Sequence, residues 1–321
     1  MAKKRRSQTK QPGGKSKAIL AVLILIVATA SYFYLKSENK LPAYIEEPVE
    51  KALKETARQG GILTEKLYDK VETVTKSSKE QSETSPKADG LNLQLEIPVS
   101  VDKREEIIIK RFAYTLSYNT RMNNPNWVAW ELTRKETHGK EERNNRFIPD
   151  PDLPEPRAKS SDYTRTGYDR GHMAPAADMK WNAKAMDESF YMSNICPQNQ
   201  KLNRGDWNDL EDACRGWAKK YGTVYIACGP IYDHKTPKRI GNNKIAVPDR
   251  FFKVILIYNR KDPMALGFLF PNEANSKDLD QYQVSVDSIE KITGFDFFAR
   301  LPDTIENRIE AETRKLPSTK R

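Results

Sequence analysis

The segment from Tyr168 to Glu211 carries the densest set of chemically active side chains in this chain of 321 residues. It reads YDRGHMAPAADM and then, after a short gap, YMSNICPQNQKLNRGDWNDLE. Its single histidine, His172, is a side chain suited to taking a proton near neutral pH. The amides and the carboxylate that follow are hard oxygen ligands, which suit Mg²⁺ better than zinc. A base and a hard cation suffice to hydrolyse a phosphodiester, so the segment predicts a site for that chemistry.

The neighbours of His172 distinguish it from the other two histidines, His138 and His234, to which we assign no role. Arg170 stands two residues before it and is able to pair with a phosphate oxygen. Gly171 allows the backbone to turn tightly beside it. A histidine taken alone is more often structural than catalytic, so the assignment of His172 as the general base depends on the motifs around it.

The second half of the segment, LNRGDWNDLEDACR, predicts a helix from about Asp206 through Arg215. Glu211 and Arg215 are four residues apart, so they share one helix face. Asn203 precedes Glu211 by about two turns and lies above the same side. Taken singly, Asn203 is also explained as a helix cap, and Glu211 with Arg215 as a surface ion pair of little energetic value. The spacing alone leaves both interpretations open.

Three separated blocks, DRGHMAP, SNICPQ and LNRGDWNDLE, resemble the DNA/RNA non-specific endonuclease family in their order and spacing. A lone DRGH would be a weak signal, whereas several blocks in the right order are specific. The resemblance covers roughly residues 95 to 305. It implies an α+β domain in which a ββα-metal core, the His-Me finger, lies within a mixed, mainly antiparallel sheet.

The resemblance also implies roles for particular residues. His172 matches the general base, and Asn203 matches the amide that binds Mg²⁺ directly. Glu211 matches the acid that holds metal-bound water, Arg215 a basic residue near the phosphate, and Asn194 a further amide of the site. The family also has an arginine in the loop before DRGH, and three residues compete for that role: Arg143, Arg146 and Arg165.

The implied activity is endonucleolytic hydrolysis of DNA and RNA by water that His172 activates, with Mg²⁺ as cofactor and Mn²⁺ as a substitute. Contacts mainly to phosphate would give little sequence preference. The sequence contains no Walker loop, GxGxxG turn or nucleophile elbow, which argues against nucleotide-binding and acyl-enzyme chemistry. Two alternatives are an inactive nucleic-acid-binding protein and a phosphodiesterase acting on a phosphoester other than nucleic acid.

The strands and helices that must position these residues are predicted from the pattern of residue types along the chain. β-branched and aromatic runs predict strands, and a Pro-rich polar stretch at 138–166 predicts a long loop. The predicted strands are 107–118, 127–132, 223–228, 251–257 and 265–270. The predicted helices are 181–190, 206–215 and 285–292, the last with Ser285 as its cap and Gly294 beyond its end. Strands mixed with helices, without regular alternation, indicate an α+β domain.

The amino-terminal region has a different composition. Residues 1–17 contain seven basic residues and no acid, so the rest of the chain carries only +3 of the net charge of +10. Residues 18–35 are uncharged and predict a membrane anchor with the catalytic region outside the cytoplasm. A cleaved signal peptide is the alternative, and it would make the protein secreted or periplasmic. Residues 36–94 read as a charged linker.

The remaining boundaries place the endonuclease domain at 95–305 and a polar tail at 306–321. The three cysteines, Cys196, Cys214 and Cys228, form no zinc pattern, and we interpret them as buried small apolar residues rather than as a disulfide. Nothing in the sequence specifies an oligomeric state.

Overall fold

The computed structural model describes residues 94–258, 262–274 and 277–319. The predicted basic tail, the anchor at 18–35 and all but the last residue of the linker lie outside these residues. Within the described part of the chain, no helix is long and apolar enough to cross a membrane.

A seven-stranded sheet forms the centre of the described domain, with strand order β12-β11-β10-β7-β4-β3-β2. Every neighbouring pair in it is antiparallel, which confirms the expected mainly antiparallel sheet. The strands are β2 (Ile107–Lys110), β3 (Thr115–Asn119), β4 (Asn124–Thr133), β7 (Thr223–Ile231), β10 (Arg250–Ile257), β11 (Met264–Pro271) and β12 (Gln283–Val284). Outside this sheet, three two-stranded ribbons pair β1 (Val99–Ser100) with β13 (Phe295–Asp296), β5 (Tyr168–His172) with β6 (Ile195–Asn199), and β8 (Arg239–Ile240) with β9 (Ile245–Ala246).

Two strand predictions differ from the structure for local reasons. The predicted strand 107–118 is a hairpin, because a turn in which Arg111 N donates to Tyr114 O at 2.8 Å reverses the chain. The strand predicted to end before Gly229 and Pro230 continues to Ile231. Pairing of β7 with β4 stops at Cys228, so the proline, which lacks an N–H, lies beyond the paired part of that edge.

Five α-helices are described: α1 (Ala183–Ser189), α2 (Gln200–Arg204), α3 (Asp206–Tyr221), α4 (Val286–Thr293) and α5 (Asp303–Glu310). The α4 prediction is confirmed at both ends, since the Ser285 side chain accepts from Ser288 N and Gly294 has a φ of +64°. Helix α3 continues beyond the predicted Arg215 to Tyr221. The predicted domain end at residue 305 falls inside α5.

The core lies on both faces of the sheet, because side chains of β10 alternate between them. Phe251 and Ile255 face the side on which α3 packs, and Phe252 and Val254 face the side of α4 and α5. Helix α3 contributes a stripe of buried residues at three- and four-residue spacing: Trp207, Leu210, Cys214 and Trp217. All three cysteines are buried and unbridged, as predicted.

The predicted loop at 138–166 is irregular apart from short 3₁₀ turns, one of them at Ser160–Tyr163. Arg111 anchors it by ion pairs with Asp150 and Asp152.

Candidate active site

The candidate site is built on the β5–β6 ribbon and the helices that follow it. In the ribbon His172 is opposite Ile195, and Tyr168 is opposite Asn199. The Asn199 side chain then accepts from Lys201 N at 2.9 Å and begins α2. Gly171 is required by close packing, since a Cβ there would lie 2.2 Å from the Gln198 Oε1 atom.

Asn203 is held against the ribbon by Asp169. The Asn203 Nδ2 atom donates to Asp169 Oδ2 at 3.0 Å, and Arg204 donates to both oxygens of the same carboxylate at 2.9 and 3.0 Å. Because the amide nitrogen is engaged, the amide oxygen is the atom left to bind a cation. Asn203 lies within α2, whose cap is Asn199, so it is not the cap of a helix.

His172 ends β5 in an aromatic surrounding. Its ring meets the Phe190 ring edge-on at 4.9 Å and lies 5.3 Å from the Phe147 ring. Burial, and secondarily the nearby charge of Arg143, lowers the pKa of His172 to about 3. Its Nε2 atom is buried and has no hydrogen-bond partner among the described residues. The imidazole is therefore neutral at ordinary pH.

Two arginines lie close to this histidine. Arg143 lies over the Phe190 ring at 5.2 Å, and its charge contributes to the lowered pKa of His172. Arg170 is two residues from His172 along β5 and shares its face of the strand. It donates to Ser160 O at 2.6 Å, and its guanidinium lies 5.7 Å from the Phe147 ring centroid and 5.6 Å from the Tyr163 ring centroid.

Asn194 lies fully buried behind His172. Its side chain accepts from Ala174 N at 2.9 Å and donates to Ala174 O and Ser189 O at 2.8 and 2.9 Å. Both polar atoms of the amide are thus used by the backbone. The structure places Asn194 as a residue that fixes the turn after His172, not as one that faces a substrate.

Glu211 and Arg215 occupy the face of α3 directed at the sheet. Arg215 donates to Asp178 Oδ1 at 2.8 Å and to Asp212 Oδ1 at 2.5 Å, so two carboxylates already fix it. The Glu211 carboxylate lies 3.9 Å from the Lys253 ammonium. Burial raises the pKa of Glu211 to about 7, against the opposing charges of Lys253 and Arg215. These two residues therefore make no ion pair with each other within the described residues, contrary to the simple surface-pair interpretation.

Residues 95–304 match the sequence profile described as DNA/RNA non-specific endonuclease. The chain belongs to this family. It is 38% identical over 204 residues to the mitochondrial nuclease EXOG of Xenopus laevis, covering 59% of this chain and 57% of that one. It is 39% identical over 211 residues to the mitochondrial nuclease of Saccharomyces cerevisiae, covering 58% and 63%. The chain thus spans less than two thirds of these relatives.

The fold of this family member is similar to that of a chain in the crystal structure of the EndoG/EndoGI complex. The TM-score is 0.62 at 31% identity, and the match covers 70% of this chain and 96% of that chain. Both are mixed α/β structures with a mainly antiparallel sheet.

Hydrogen bonds connect the predicted site residues to the β5 region at two separate places. Asn203 is linked to β5 through Asp169, and Arg215 is linked to the segment after His172 through Asp178. Among the described residues, no hydrogen bond joins His172 directly to Asn203 or to Glu211.

Sequence reasoning missed three supporting residues. Asp169 orients Asn203, and the buried Asp178 binds both Arg215 and the Trp130 Nε1 atom, the latter at 3.0 Å. Gln198 is fully buried with both polar side-chain atoms unpartnered within the described chain. Asp169 and Gln198 stand inside the motif blocks and Asp178 follows three residues after the first block, so their available signal was their polar type near the assigned residues.

A divalent cation is compatible with the donors present here. The Asn203 oxygen and the Glu211 carboxylate are hard ligands that no hydrogen bond within the described residues engages. A separate carboxylate group, formed by Asp287, Glu290 and Glu310, has ligand atoms within 4.8 Å of one another. It lies on α4 and α5, on the other face of the sheet, and contains none of the predicted site residues.

Proposed function

We propose that the chain is a Mg²⁺-dependent endonuclease that hydrolyses DNA and RNA with little sequence preference, and that β5, β6 and α2 are its ββα-metal core. The observation that carries the proposal is the neutral, buried His172 with an unpartnered Nε2, at the end of the strand whose Asp169 orients Asn203. Family membership makes nucleic acid the expected substrate.

In this mechanism the neutral imidazole of His172 accepts a proton from the attacking water. Its low pKa keeps the acceptor free, and the negative charge of a bound phosphate would strengthen its basicity. Arg170, and Arg143 near the same ring, would bind phosphate oxygens.

The metal would be held by two further residues. Asp169 keeps the Asn203 oxygen available as a ligand, and Glu211 would bind water of the ion. When bound, Mg²⁺ supplies charge neutralisation at the phosphate and the leaving oxygen.

Arg215 and Asn194 stabilise the elements that carry the proposed site. Arg215 holds α3 against Asp178, and Asn194 fixes the turn at Ala174. Neither has to touch the phosphate in the proposed reaction.

The test uses the full chain on plasmid DNA, RNA and small phosphodiesters, with and without EDTA. We expect cleavage of both nucleic acids, loss with EDTA, and a fall of at least ~10²–10⁴-fold in His172→Ala with DNA binding kept. The exposed His138→Ala is the matched control and should cut normally. Cleavage of small phosphodiesters alone, binding without cleavage, or more than a tenth of the activity in His172→Ala would each contradict the proposal.

We also propose that residues 18–35 anchor the chain in a membrane with the catalytic domain outside the cytoplasm. Their uncharged run behind a basic cluster supports this. Membrane fractionation and protease accessibility of tagged cells test it, and a mature protein starting near residue 31 would show cleavage instead.

A further inference from the structure

Lys253, in the middle of β10, is a lysine with no exposure to solvent. Its backbone pairs with Cys228 of β7 on one side and with Phe268 of β11 on the other. The Nζ atom is buried and has no hydrogen-bond partner among the described residues. Lysine is almost never fully buried unless it is paired, since an ammonium group loses its hydration there.

The groups that face this ammonium come from α3 and β4. The Trp207 ring centroid lies 3.9 Å from Nζ and the Trp130 ring centroid 6.0 Å, so Lys253 has cation–π contacts from two indoles. Glu211 Oε1 is 3.9 Å away. That separation is longer than a hydrogen bond, and attraction acts across it through charge.

The surrounding contacts fix these partners in turn. The Trp130 Nε1 atom donates to Asp178, which also binds Arg215 one turn beyond Glu211 on α3. Lys253 on the sheet therefore belongs to a buried cluster of charged and indole side chains that connects β10 and β4 with α3.

Packing does not explain the charge. A methionine has nearly the same length and would fill the space between the indoles without the cost of a buried ammonium. The charge of Lys253 acts on two carboxylates, Glu211 and Asp178. Arg215 and Trp130 already bind Asp178, whereas Glu211 lies 3.9 Å from the ammonium with 11% of its side chain exposed.

We propose that Lys253 is a positioning residue for Glu211. The indole of Trp207 holds the Lys253 ammonium, and the ammonium orients the Glu211 carboxylate. The second carboxylate oxygen is then available to water bound to a cation. This inference rests on the proposed function, because it concerns the same metal site. Lys253 itself does not touch substrate.

The test is a double-mutant cycle on metal affinity. Mn²⁺ binding to the full chain is measured calorimetrically without nucleic acid for the wild type, Lys253→Met, Glu211→Gln and the double variant. Asn203→Ala identifies the binding step that belongs to this site. We expect Lys253→Met to weaken Mn²⁺ binding about 10–100-fold, as for other residues that orient a metal ligand. In the Glu211→Gln background the same substitution should have no further effect.

Lys201→Met, on the exposed side of α2, is the matched control and should keep wild-type affinity. Circular dichroism checks folding, and Lys253→Gln replaces Lys253→Met if the latter does not fold. An unchanged affinity in a folded Lys253 variant, or an equal loss in both backgrounds, overturns the inference while leaving the nuclease proposal intact. A wild-type chain that cuts no nucleic acid overturns the proposed function instead.

Discussion

At Asn203, a single hydrogen bond decides which atom of the amide is available. Asp169 accepts from Nδ2, and the oxygen is left as the prospective ligand. At Glu211, by contrast, the neighbour is a cation at 3.9 Å, and the contact that we propose with a bound ion runs through water. The two residues should therefore respond differently when they are truncated.

We expect Asn203→Ala to lose at least about 100-fold in activity, without recovery at moderately raised metal, because the proposed direct ligand is removed. Glu211→Ala should lose less and recover at raised Mn²⁺, because solvent replaces its indirect contact. Titrations of cleavage with Mg²⁺ and Mn²⁺ measure both. Coinciding curves for the two variants would contradict the ranking.

The pKa of Glu211 predicts a pH dependence of metal use. Its raised pKa of about 7 means that the carboxyl group is protonated below that pH and ionised above it. The metal concentration for half-maximal activity should rise as the pH falls from 8 to 6. In the chain without substrate the pKa of His172 is lowered to about 3, well below this window. Glu211→Gln should therefore flatten the dependence, and a persisting slope in that variant would assign it to another group.

At the scale of elements, carboxylate side chains lie close together where α4 and α5 pack against each other. Glu310 is 4% exposed with an unpartnered Oε1 atom, and burial followed by repulsion from Glu290, Glu306, Asp287 and Asp296 raises its pKa to about 10. Burial likewise raises the pKa of Glu290 to about 7. A carboxyl with a raised folded-state pKa favours folding only while it is protonated, so the domain loses stability as the pH rises above the ordinary value of Glu.

Glu310→Gln should therefore stabilise the domain at pH 8 by about 1–3 kcal/mol, because a neutral amide can donate to the neighbouring carboxylates. The effect should vanish near pH 4, where the wild-type residue is protonated in both states. Urea unfolding in metal-free buffer at the two pH values measures it, with the exposed Glu312→Gln as control. Destabilisation at pH 8 would show that the ionised form is favoured in the fold.

At the scale of the whole domain, residues 311–319 of the predicted polar tail pack along α3. The Trp217 Nε1 atom donates to Pro317 O at 2.7 Å, and Leu316 packs against the core cluster of that face. A Cβ on Gly216 would lie 2.7 Å from the Thr319 Cβ atom, so the glycine allows the close approach.

Removal of residues 311–321 should lower the free energy of unfolding by about 2–4 kcal/mol, through the lost burial of Leu316 and the unpaired indole. Because α3 carries Glu211, thermal inactivation of cleavage should begin at a lower temperature in the truncated chain. Calorimetry and residual activity after heating measure the two effects. An unchanged unfolding temperature would mean that the segment contributes nothing to the stability of α3.

Local pattern was enough to establish the family resemblance, the class of fold and most elements. Short-range periodicity reports whether a segment is a strand or a helix, and motif blocks preserve spacing along the chain. Ser285 and Gly294 bounded α4 correctly because caps are local features. The hairpin at Arg111 and the continuation of β7 through Pro230 were missed, since each depends on which strand lies alongside.

The partners of the site residues were decided only by tertiary structure. No spacing rule brings Lys253 beneath Glu211, Asp178 to Arg215, or Asp169 to the Asn203 amide, because these pairs are separated by 34 to 42 residues of chain. Burial has the same origin: the pKa values of His172 and Glu211 depend on what covers them after folding. The sequence by itself therefore determined which groups are present for the chemistry, and packing determined their charge state and orientation.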